Sequence, residues 1–439
     1  MLKTLRNAFK IKDVRNRILF TFMMLIVIRI GSELPIPGVK GSVFQSWLNS
    51  KSADGLGFVD AITGGSFSQM SVFALNITPY ITSSIIMQLL TIAIPKLEEM
   101  QKEGEDGRKK IASITRYVTI GLSLIESIAM AVGFGRSGLI KDSAQLSTLH
   151  YVVCIIVVIA ALTAGSAVLM WLGERITEKG VGNGISIVLL INIISGMPSD
   201  FATLYSTFVA PKTPAKGVLA AVIILAILIV MVVLVCFLQD GERRIPVQYS
   251  QKVSGRRTVG GQSTNIPLKV NTAGVMPIIF ASSLMQFPVI IAQLFGKSYE
   301  WTRYLSSSYW CRVEAPKYSI GLLVYIVLLI IFAYFYTSIT FNPIEVADNL
   351  KKAGGVIPGI TPGKSTSEYL NKILNYIVFI GAVGLLIIAL IPIMCTGFFN
   401  ASVSFGGTSI IIIVGVVLET LKQIESQMCN RYYKGFLSE

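Results

Sequence analysis

Seven stretches of this sequence contain no Asp, Glu, Lys or Arg: 61–95, 143–173, 180–199, 217–239, 270–296, 318–344 and 373–418. A helix needs about 20 apolar residues to cross the roughly 30 Å hydrocarbon core of a bilayer. Charge-free runs of this length therefore read as membrane spans. The last window contains Pro392, Asn400 and Gly406-Gly407, and divides into two. Two further apolar runs are interrupted by charge, 18–34 by Arg29 and 116–135 by Glu126. The expectation is ten spans, near 18–34, 71–94, 116–135, 150–172, 183–202, 217–238, 271–294, 318–340, 371–392 and 406–427. Only 14% of the residues are charged, against about 25% in soluble domains. That excludes disordered, fibrous and ordinary soluble-enzyme classes.

The formal net charge of +14 would suggest nucleic acid in a soluble protein, but here the basic residues fall in the connections between spans. With ten spans, 27 of the 38 Lys and Arg lie on the side of the termini and ten on the other. The positive-inside rule then places both termini in the cytoplasm. The first run ends in Glu33-Leu34-Pro35-Ile36-Pro37, without a small-residue cleavage site, so it reads as a span rather than a signal peptide. Ten spans also divide into two halves of five with opposite orientation, which allows an inverted repeat.

Three features depart from plain membrane filler. Segment 57–69 is apolar, too short to span and broken by Gly64-Gly65. It is either an outer surface loop or a short re-entrant helix filling a cavity, because irregular backbone at membrane depth survives only inside protein or along water. The second span carries Asn76, Thr78, Pro79, Thr82, Ser83, Ser84 and Gln88, and the seventh carries Asn271, Thr272, Pro277, Ser282, Ser283, Gln286 and Pro288. Such spans face protein or water rather than lipid. Glu126 is an intramembrane carboxylate, either functional or a paired structural group. Arg29, near the outer end of its span, is expected to snorkel without a role.

The cytoplasmic connections 239–269 and 341–372 are about thirty residues each and basic, and loops of that length are usually functional. They suit docking onto RNA phosphates or an acidic protein face. Other motifs are decoys. Gly133-Phe-Gly135-Arg-Ser-Gly138 has no strand–helix context for a dinucleotide, and Gly359-Ile-Thr-Pro-Gly363-Lys364-Ser365 is one residue short of a phosphate loop. The five cysteines form no C-x-x-C and the chain has one histidine. No metal, cofactor or catalytic chemistry is expected.

Several motifs carry a resemblance. They are Phe73-Ala-Leu-Asn-Ile-Thr-Pro79-Tyr80-Ile81, Lys102-Glu-Gly-Glu-Asp-Gly107-Arg108-Lys109 and Gly182-Asn183-Gly184-Ile185-Ser186. Further along come Gln262-Ser263-Thr264 with Pro267-Leu268-Lys269-Val270-Asn271, then Phe341-Asn342-Pro343, Ala347-Asp348-Asn349-Leu350-Lys351-Lys352 and Gly406-Gly407-Thr408-Ser409. In order and spacing the whole chain resembles the SecY family of protein-conducting channels, and its ending Tyr432-Tyr433-Lys434-Gly435-Phe436-Leu437 resembles the bacterial branch.

The resemblance implies an all-α polytopic fold, with two inverted five-helix halves around an hourglass pore. It implies a plug after the first span, here Phe58, Val59, Asp60, Ala61, Ile62, Thr63, Gly64, Gly65, Ser66 and Phe67. It implies a pore ring of Ile77, Ile81, Leu189, Ile279 and Ile412, and a lateral gate near Gln88, Glu126 and Ser283. Docking positions are Arg243, Arg244, Arg256, Arg257, Lys351, Lys352 and Lys364. One departure stands out: the second basic loop reads Pro358-Gly359-Ile360-Thr361-Pro362-Gly363, with Thr361 where the family carries Arg, compensated if at all by Lys364. Implied partners are SecE, SecG, the SecA motor, the ribosome, signal sequences and nascent polypeptides, and membrane lipid. The implied location is the bacterial plasma membrane. A secondary transporter with inverted repeats is the alternative from another class, and a poreless scaffold a weaker third.

Overall fold

A computed structural model describes residues 6, 8–39, 41, 44, 63–136, 148–210, 214–249, 252–254, 257–259, 263–294, 300–306, 309–311, 316–399 and 407–434. A helix lies at each of the ten expected positions. In chain order the helices are α1 (Lys12–Glu33), α2 (Thr78–Ala93), α3 (Pro95–Lys102), α4 (Glu105–Arg136), α5 (Thr148–Lys179), α6 (Gly184–Leu204) and α7 (Pro214–Asp240). They continue with α8 (Met276–Leu294), α9 (Glu300–Leu305), α10 (Ile320–Thr340), α11 (Pro343–Lys352), α12 (Lys364–Phe399) and α13 (Gly407–Lys434). Among the described residues, α4, α5, α6, α7, α10 and α12 are long and apolar enough to cross a membrane, and the α2–α3 pair makes a seventh candidate. The helices at the other three positions, α1, α8 and α13, fall short of that test. The chain is a helical, multi-pass membrane protein, with the exposed apolar faces that lipid requires: Val218, Leu219, Val222, Ile229 and Val230 all point outward from α7.

The second span is shorter than its apolar window. Residues 72–77 are turns, and the helix begins only at Thr78. Asn76 explains this: its φ of 53° is left-handed, a conformation that interrupts a right-handed helix. Pro79 then sits in the first turn, where its missing N–H costs nothing. At the other end Ile94 is extended before Pro95, as steric conflict with a following proline requires. The chain bends there by 105° between α2 and α3. Sixteen helical residues give about 24 Å of rise, so α2 alone is short for a full crossing.

The turns ahead of α2 are held on two sides. Ile36 N–H donates to the Met70 carbonyl and Val72 N–H to the Leu34 carbonyl, each at 2.9 Å. On the other side the Val72 carbonyl lies against Gly165 of α5, where a Cβ would overlap it.

The connections 239–269 and 341–372 contain the only sheet structure among the described residues, which the all-α expectation lacked. Strands β1 (Glu242–Tyr249), β2 (Lys252–Ser254), β3 (Arg257–Val259) and β4 (Ser263–Lys269) come from the first connection and β5 (Gly355–Val356) from the second. One sheet has the order β4-β1-β5, and β2 pairs with β3 separately. In the antiparallel register Ile245 faces Ile266 and Gln248 faces Val356. Ile245, Val247 and Leu268 pack with Leu350, Ile357, Leu370, Ile373 and Ile377. The two connections thus share one sheet and one apolar cluster, forming a small domain.

Candidate functional site

Two large buried apolar clusters lie among the spans. One gathers Phe73, Ile77, Leu169, Leu172, Ile176, Ile187, Val188, Leu189, Ile193, Ile412 and Val416 from the first half and α13. The other gathers Ile278, Phe280, Ala281, Met285, Tyr325, Leu329, Leu385, Ile388 and Ile411 with Ile85. All five ring candidates belong to or pack against the first cluster, and Ile81 and Ile279 also pack against the second. Ile77 is 1% exposed, Leu189 4% and Ile412 4%. Ile81 and Ile279 are half-buried and pack against both clusters. The side chains come from the start of α2 and from α6, α8 and α13, so four helices bring together residues up to 335 positions apart (77 to 412).

Beside this collar lies a polar seat. Asn192 stands three residues after Leu189 on α6, and its Nδ2 donates to Oδ1 of Asn76, next to Ile77, at 2.9 Å. The Asn192 Oδ1 is buried without a partner. Gly64, with φ of 64°, packs so closely on the Asn192 carbonyl that a Cβ there would overlap it. Its own carbonyl accepts from Ser195 Oγ at 3.2 Å. Arg29 Nη1 donates to Ser195 Oγ at 2.9 Å, while Nη2 pairs with Glu33 at 2.9 Å. Arg29 therefore does not simply snorkel: it ties α1 to α6. Sequence reasoning missed Asn192 and Ser195. They are two of the five Asn and Ser residues in the charge-free window 180–199.

Of the plug candidates, Phe58, Val59, Asp60, Ala61 and Ile62 lie outside the described residues. Thr63, Ser66 and Phe67 are buried; Thr63 is helical and 64–70 form turns. Phe67 meets Phe44 edge-to-face at 5.3 Å, inside a cluster with Ile36, Met70, Leu75, Met130 and Leu162. This part of the segment is interior, not an external surface loop.

The gate candidates Gln88, Glu126 and Ser283 lie on α2, α4 and α8. Helix α2 packs on α4 and α8 on α10, whereas α8 touches α2 and α4 only lightly. Gln88 Oε1 is buried without a partner. Of the docking candidates, Arg243 and Arg244 are exposed on β1, and Lys351, Lys352 and Lys364 are exposed on α11 and α12. Arg244 pairs with Glu242 at 2.6 Å. Arg257 falls in β3, and Arg256 lies outside the described residues.

The SecY family model matches residues 71–421. The chain is 44% identical over 452 residues to a protein translocase subunit SecY of Streptomyces scabiei, with 100% of both chains covered. The chain belongs to the SecY family. A SecY translocase subunit of Bacillus subtilis is 40% identical over 444 residues, again over 100% of each chain. Among solved structures, one described as a protein conducting channel aligns with a TM-score of 0.60 at 18% identity, covering 94% of this chain and 92% of its own. Canine Sec61 in a ribosome–channel complex aligns at 0.56, also at 18% identity, with the same coverage. The SecY-family fold accounts for the helix order described above.

Proposed function

We propose that this chain is the central subunit of a protein-conducting channel. It passes unfolded secretory polypeptides across the membrane and releases apolar segments sideways into lipid. The observation that supports this reading is that Ile77, Ile81, Leu189, Ile279 and Ile412, from four helices, share one apolar cluster, with Ile81 and Ile279 also packed on a second. A constriction of branched aliphatic side chains excludes ions by dewetting. Its contacts are individually weak, about 0.1–0.2 kcal/mol per atom pair, so it can spread around a peptide and close again. A transporter would instead require polar ligands at such a midplane constriction, so that alternative is not favoured.

The seam lined by Gln88, Glu126 and Ser283 is the sideways exit in this reading. The small cytoplasmic domain, with exposed Arg243, Arg244, Lys351, Lys352 and Lys364, is the docking face for the ribosome and the SecA motor. SecE and SecG are the companion subunits, signal sequences and nascent chains the cargo, and the bacterial plasma membrane the location, with both termini in the cytoplasm. The test is to replace the five collar residues with Asp, singly and together, in vesicles carrying the full translocase. A rise in resting ion conductance with a loss of secretory export is expected. Unchanged conductance and export in the fivefold variant would overturn the reading.

A further inference from the structure

We infer that Arg29 and Ser195 are positioning residues that clip the Thr63–Met70 turn segment into the closed channel through the Gly64 carbonyl. This inference rests on the channel reading. Three observations carry it. First, the Ser195 hydroxyl has one proton and two acceptors within reach, the Gly64 carbonyl at 3.2 Å and the Asn192 carbonyl of its own helix at 2.8 Å. It can hold the segment, or fall back on its own helix when the segment leaves. No donor is stranded in either state, so release is not opposed by a buried unmet N–H or O–H. Second, Arg29 occupies the hydroxyl's acceptor side at 2.9 Å. That turns the proton toward the two carbonyls, and the Glu33 partner at 2.9 Å fixes the guanidinium fork. Arg29 is 29% exposed, so its charge is partly withdrawn from water, where hydrogen bonds gain strength. Third, Gly64 is the one residue type that fits the seat: its φ is left-handed and a side chain would strike the Asn192 carbonyl. The side chain of the same Asn192 is anchored to Asn76 Oδ1 by its Nδ2 hydrogen bond at 2.9 Å.

The clip joins α1, α6 and the turn segment directly beside the collar. Pulling α1 and α6 apart, or wedging a chain between them, breaks it. A single contact of this kind in a membrane protein shifts an equilibrium by about threefold. The clip therefore biases the closed state without locking it, and tunes how readily a weak signal opens the channel.

The test uses vesicles carrying the full chain with its co-purifying subunits. Resting ion leak is measured, together with the ratio of export of a reporter bearing a damaged signal sequence to one bearing an intact signal. Ser195→Ala and Arg29→Gln are each expected to raise leak and ratio about threefold, and the double variant no further, because both act through one hydroxyl. Ser195→Thr, which keeps the hydroxyl, is expected to behave as the unsubstituted protein. Leak and ratio unchanged in Ser195→Ala, or raised equally by Ser195→Thr, would overturn the clip. Failure of the unsubstituted vesicles to export either reporter would instead overturn the channel reading beneath it.

Discussion

At Gly64 an added methyl group would meet both a left-handed backbone and a backbone carbonyl. Its φ of 64° and that of Gly65, 85°, both cost a non-glycine residue about 1–2 kcal/mol. The two differ in space. A Cβ on Gly65 meets nothing closer than Ser68 Oγ at 3.9 Å, whereas one on Gly64 overlaps the Asn192 carbonyl. Overpacking adds about 1–3 kcal/mol. Gly64→Ala is therefore expected to destabilise by about 2–5 kcal/mol and Gly65→Ala by about 1–2, read as thermal midpoints of the detergent-purified protein. Equal shifts would contradict the close seating of this turn.

The role of Gly64 was only half legible beforehand. A Gly-Gly pair in an apolar run announces irregular backbone, but not what it rests against. Arg29 was misread for the same reason: its hydrogen-bond partner is 166 residues away, and nothing in the local pattern 18–34 points to it.

Among elements, the small sheet domain depends on β1. Val247 is fully buried in the cluster that joins both connections. A charge there is left without a partner, at a cost of about 3–5 kcal/mol. Val247→Asp is expected to open both connections, 239–269 and 341–372, to limited proteolysis while the membrane helices remain protected. Protection of either connection would argue against a shared domain. At the tip of the second connection, Thr361 is exposed, and its carbonyl accepts from Thr366 Oγ1 at 2.9 Å. Lys364 is 92% exposed, with only a loose contact to Glu368 at 3.9 Å, so its cation is available to a partner. Lys364→Ala is expected to lower motor-driven export several-fold, and adding Thr361→Arg to restore it. Export insensitive to Lys364→Ala would remove this loop from docking.

This domain escaped sequence reasoning for physical reasons. Strand β1 contains Pro246 and shows apolar alternation only at Ile245 and Val247. Its partner β5 has two residues and lies about a hundred positions away. The helices were legible because lipid imposes charge-free length; their ends were not, because Asn76 and Pro95 act through backbone conformation rather than apolarity.

For the whole molecule, the account makes the apolar cluster shared by the five collar residues the route of a polypeptide. A chain halted in transit must then touch the collar and avoid the lipid-facing side of α7. The most direct measurement is site-specific photocrosslinking of an arrested secretory chain to probes placed singly at 77, 81, 189, 279 and 412, with probes at Val222 and Ile229 as lipid-facing references. The account predicts crosslinks at the five collar positions and none at the two references. Crosslinks absent from the collar, or as frequent at 222 and 229, would contradict it.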